Sequence, residues 1–138
     1  MRRIAAAALA ATLAMPALAA ETGTIGVEFN DLQTADDGCR AVFVLNNGLE
    51  TPLDELTLRV VAFDKDQHAT LFLSLATGAL PAGKTRILRF ALGEGVACDG
   101  ISRLVLDDVT ACDGAGLDPA KCLAAIRLSS RAGLPFDL

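Results

Sequence analysis

The chain has 138 residues, a formal net charge of −5, and 52% hydrophobic but only 4% aromatic residues. That acidity argues against nucleic acid and anionic membranes as partners, because both call for a basic surface. The length suits one domain with one core.

Arg2 and Arg3 precede an apolar, Ala-rich run from Ile4 to Leu13, followed by Met15-Pro16 and the tripeptide Ala17-Leu18-Ala19. A charged start, an apolar run of about ten residues and an A-x-A site are the parts of a secretory signal peptide. The run is too short to span a membrane, which takes about 20 apolar residues. Cleavage is expected after Ala19, giving a leader over 1–19 and one domain over 20–138 with no membrane span. The arginine pair raises the twin-arginine route, but Ile4-Ala5-Ala6 lacks that signal's usual neighbours. Ordinary export to the periplasm or beyond is therefore expected. Loss of Arg2 and Arg3 takes the charge to about −7, and both methionines leave with the leader. The mature chain then has no Met, no Trp and no Tyr.

Thr24–Leu32 alternates, with Ile25, Val27 and Phe29 on one face, and predicts a first strand. Gln33–Gly38 is rich in turn residues. The organising stretch is Cys39–Gln67, two apolar extended segments separated by Asn46-Asn47-Gly48 and Thr51-Pro52 and closed by Asp64-Lys65-Asp66-Gln67. Cys39, Ala41, Phe43 and Leu45 share one face of the second strand; Leu56, Leu58, Val60 and Ala62 share one face of the third. Ala69–Ala76 is a fourth strand, with Leu71, Leu73 and Leu75 in phase, and Thr77–Gly83 turns the chain. Thr85–Leu92 is a fifth strand with Leu88, Phe90 and Leu92 inward, and Gly93–Gly100 is a loop. Ile101–Val109 and Leu123–Ser130 are the sixth and seventh strands, and Arg131–Leu138 is a tail. Asp118-Pro119 is a good helix start, so one helical turn is allowed before Ile126 resumes a strand. Seven short strands without a sustained 3.6-residue period predict an all-β, seven-stranded antiparallel immunoglobulin-like β-sandwich with two disulfides. Its expected core includes Phe29, Phe43, Leu58, Val60, Leu73, Phe90, Leu104, Leu106 and Ile126.

From Asn46 to Phe90 the residues carry a resemblance. Asn46-Asn47-Gly48, then Phe63-Asp64, Lys65-Asp66 and Leu80-Pro81-Ala82-Gly83-Lys84-Thr85, resemble the turns and strand ends of bacterial secreted immunoglobulin-like modules of the FxLYD type. The whole mature chain is also similar to small exported proteins of alphaproteobacteria. The match covers about 45 residues and departs where the usual Tyr and Gly stand, here Phe63 and Gln67. The resemblance implies a fold and brings no catalytic residue with it, such modules being mostly non-enzymatic.

Four cysteines in an exported domain of this size predict two disulfides, with three pairings open. Successive strands alternate in direction, so Cys39 and Cys98 fall at one end of the sandwich and Cys112 and Cys122 at the other. A strand from Ile101 to Val109 spans about 30 Å, whereas bridged Cα atoms lie within about 7 Å. Cys39–Cys98 with Cys112–Cys122 is the pairing that keeps ends together. A zinc or redox site lacks both a C-x-x-C and the histidines it would use.

The chemistry-bearing residues are sparse. His68 is the one histidine and falls beside a turn; a copper site would want Met or more His beside it. Ser129 and Ser130 have no base in sequence. Asp107 and Asp108 are adjacent in a strand, so their side chains are expected on opposite faces and not as a catalytic pair. No catalytic residue and no cofactor are expected. The lack of Trp and Tyr removes the stacking surface that sugar sites use. The expectation is a non-enzymatic periplasmic or secreted binding or accessory module that meets another periplasmic or envelope protein. The alternative is a calcium-like cation role for an acidic end. There the loops Gln33–Gly38, Asp64–His68 and Gly93–Gly100 gather Asp36, Asp37, Asp64, Asp66, Glu94 and Asp99 against Lys65. Turn chemistry explains each Asp singly.

Overall fold

The computed structural model describes residues 21–138, so the expected leader over residues 1–19 lies outside the described residues. Eight strands and one short helix follow in the order β1 Ile25–Ala35, β2 Gly38–Asn47, β3 Glu55–Phe63, β4 Ala69–Ala76, β5 Thr85–Glu94, β6 Arg103–Asp113, α1 Pro119–Ala125, β7 Ile126–Ser130 and β8 Phe136–Asp137. They form two four-stranded sheets, β5-β2-β1-β7 and β4-β3-β6-β8.

Two expectations need correction. Among the described residues there are eight strands, because the tail supplies β8, and the sheets are mixed where an antiparallel sandwich was predicted. β1 pairs with β7 in parallel, and β6 pairs with β8 in parallel. The cause is neighbour choice. Within one sheet the registers set β1, β5 and β7 running one way against β2, and within the other β4, β6 and β8 running one way against β3. β7 settles beside β1 and β8 beside β6, each next to a strand that runs its own way.

The core lies between the sheets, and period-two patterning builds it. Ile25, Val27, Phe29, Phe43, Leu45, Leu58, Val60, Leu104, Leu106 and Ile126 are buried. Leu73 on β4 and Phe90 on β5 are only half-buried. Both strands are sheet edges on the same side of the sandwich, so their inner faces are covered on one flank only. Four phenylalanines stack through the middle, with Phe43 against Phe29, Phe90 and Phe136 at 5.6, 6.1 and 5.7 Å between ring centroids. The helix is longer than the one turn expected. Pro119 sits at its start, and the Asp118 carboxylate accepts from the Lys121 amide at 2.8 Å, satisfying an otherwise free N-terminal donor.

The lower end is tied by Asn47, which is fully buried. Its Nδ2 donates to the carbonyls of Thr51 and Leu80, each at 3.0 Å, and its Oδ1 accepts from the Leu49 amide at 3.1 Å. Beside it, a Cβ on Gly48 would stand 2.4 Å from the Glu21 carbonyl oxygen, so only glycine fits that close approach.

Candidate functional site: the acidic end

The upper end is built from the β1–β2 turn, the β3–β4 turn and the segment from β5 to β6. β1 runs on through a bulge between Phe29 and Asp31 to Ala35, so the expected Gln33–Gly38 turn shrinks to a tight reversal at Asp36-Asp37. Gly38, at φ 135°, lets this reversal lie against the β5 end; a Cβ there would stand 2.6 Å from the Gly93 carbonyl oxygen. The Gly95 amide donates to the Asp37 carbonyl at 3.1 Å. Cys39 is bridged to Cys98, and Cys112 to Cys122 at the opposite end. The first bridge joins β2 to the single 3-10 turn Cys98–Gly100.

Between these pieces opens a cleft of about 680 Å³, lined by Asp36, Asp37, Glu94, Val96, Cys98 and Asp99 among others. Four carboxylates thus surround one opening, all on exposed residues. Asp37 is partly neutralised, since both its oxygens accept from Arg40 Nη2 at 3.2 Å. The remaining carboxylates give the opening a negative field that attracts cationic groups and repels anions.

The other two expected members, Asp64 and Asp66, do not line this cleft. They lie in the β3–β4 turn, where carboxylate oxygens of Asp64 and Asp66 and a ring nitrogen of His68 fall within 4.8 Å of one another. One Asp64 oxygen already accepts from the amides of Asp66 and His68, each at 2.9 Å, so this carboxylate shapes the turn. Gln67 takes the left-handed conformation there, at φ 66°. The turn is moored to the β6 start by Ser102, whose hydroxyl donates to the Asp64 carbonyl and whose amide donates to the Phe63 carbonyl at 2.8 Å. One acidic end on the sequence is thus two separate acidic groups in the fold.

Three further placements bear on chemistry. Asp107 and Asp108 both reach Arg59, at 2.5 and 3.6 Å, correcting the expectation of opposite faces. A bulge in β6 opposite Arg59 and Val60 breaks the alternation that the expectation assumed. The shared arginine makes them an ion-paired surface group. Ser130 donates to the Leu134 carbonyl and has a structural role, while Ser129 borders a second hollow of about 600 Å³ on the outer face of the β2-β1-β7 sheet. That hollow lies over Gly26 and is rimmed by Glu28, Arg127 and Arg131, with Arg131 paired to Glu28 at 3.2 Å. Sequence reasoning missed it; the only signal was a glycine inside a strand, which leaves a gap in the side-chain layer.

Among the described residues no helix is long and apolar enough to cross a membrane. In comparison with known proteins, no family model matches the chain, nor does a curated protein or a solved structure.

Proposed function

We propose that this chain is a non-enzymatic, exported binding or accessory module with an immunoglobulin-like sandwich, and that it meets a basic protein partner through its acidic end. The observation that carries this reading is the cleft in which Asp36, Asp37, Glu94 and Asp99 converge from separate loops, with the Cys39–Cys98 bridge fixing their bases. Carboxylates held around one opening steer a cationic surface to it and discriminate against acidic competitors. Two disulfides suit an oxidising compartment, which supports export to the periplasm or the medium. The test is a pull-down from periplasmic extract with the wild type and with an Asp36→Asn, Glu94→Gln, Asp99→Asn variant. The reading expects a basic protein to be retained by the wild type and lost by the variant. Retention of every captured protein by the variant contradicts it.

A second reading rests on Asp64, Asp66 and His68, whose ligand atoms fall close enough to hold one cation. Calcium takes six to eight oxygens, so the Asp64 and Asp66 carboxylates would supply part of its shell and water the rest, with no share from the His68 nitrogen. A calorimetric calcium titration of the wild type beside Asp66→Asn is the test. Heat of binding that disappears in the variant supports this reading, and no heat in either removes it.

A further inference from the structure

We propose that β4 is a dimerisation edge, along which two copies of this chain join antiparallel about a two-fold axis through Phe72. The four sheet edges differ in how they are guarded. Edge strands expose unpaired backbone groups, and proteins blunt them with charge, shortness or inward-pointing ionic residues. β5 has Arg86 on its inner face, donating to the Thr77 carbonyl at 3.2 Å, and Arg89 on its outer face. β7 is five residues long and contains Arg127, and β8 is two residues long and contains Asp137. β4, Ala69–Ala76, is eight residues long with no charge and no proline. Among the described residues it pairs with β3 alone.

Self-pairing is favoured by the order of its residues. Around Phe72 the strand reads almost the same in both directions: Leu71 mirrors Leu73, and Thr70 mirrors Ser74. A two-fold axis at Phe72 therefore sets Phe72 on Phe72, Leu71 on Leu73 and Thr70 on Ser74 of the second copy. These are aromatic, apolar and hydroxyl cross-strand pairs, each of a stabilising kind. Register parity also holds, so the half-buried Leu71 and Leu73 continue the inner layer of both sandwiches. On the outer face Phe72, 71% exposed, stands opposite Val61, which stands opposite Val105. The dimer extends that apolar row across the axis. An acidic chain repels itself over most of its surface, and β4 offers contact where no charge opposes it.

The test is the solution mass of the purified protein over a dilution series, beside Phe72→Lys and Ile87→Lys. Both side chains are exposed, so neither change opens the core, and melting curves verify folding. Twice the chain mass is expected for the wild type and Ile87→Lys, and the single mass for Phe72→Lys. In Phe72→Cys, oxidation is expected to link two copies through position 72, whereas Ser74→Cys stays unlinked. A wild type that is single at every concentration, an assembly without fixed size, or a dimer that survives Phe72→Lys overturns the proposal.

Discussion

Phe136, near the C-terminus, packs edge-on against Phe43 with 5.7 Å between ring centroids, and it also lies 6.2 Å from Phe29. The tail therefore closes the core from the side opposite β5, and it does so as a strand on β6 with the Leu104 amide donating to the Pro135 carbonyl at 3.0 Å.

Phe136→Ala should accordingly destabilise like an internal core truncation, by about 3–5 kcal/mol, matching Phe43→Ala. Urea unfolding of both variants checks this. A loss below about 1 kcal/mol for Phe136→Ala, the size of a surface change, would mean that the tail is dispensable.

Asn47→Ala removes the donor shared by Thr51 and Leu80 and the acceptor for Leu49. Buried backbone groups left unpaired cost about 1–3 kcal/mol each, less where water enters. A loss of about 3 kcal/mol is expected, with amide exchange accelerated first at Leu49, Leu53 and Leu80. A neutral result would show that the two loops hold together without it.

The Cys39–Cys98 bridge has a sequence separation of 59 and Cys112–Cys122 one of 10. On the chain-entropy account the two contribute about 4 and about 3 kcal/mol. Replacing each pair by Ala and comparing melting temperatures should give the larger drop for Cys39–Cys98. Loss of that bridge also frees the Cys98–Gly100 turn, so it should disorder the acidic cleft where loss of Cys112–Cys122 does not.

The layered β architecture was legible in the sequence because period two is local: Phe29, Phe43, Leu58 and Leu104 each declare their face within their own strand. The end that each cysteine occupies followed from strand direction, which chain order alone sets. Lateral neighbours did not follow, because nothing local in Ile126–Ser130 says that it lies beside β1. The strand at Phe136 was hidden by its shortness. Bulges were hidden too, and one of them brought Asp107 and Asp108 to a single arginine. The acidic loops were visible as composition, but which carboxylates line the cleft was not, because it depends on the long-range Gly38–Gly93 approach.

The measurement closest to the functional reading is an amide-resolved NMR titration with a lysine-rich peptide as the basic probe. The account predicts shifts concentrated at Asp36, Asp37 and Glu94–Asp99, weakening as salt is raised and absent in the Asp36→Asn, Glu94→Gln, Asp99→Asn variant. Shifts spread evenly over Asp54, Asp107, Asp113 and the other surface carboxylates, or unchanged in the variant, would contradict it.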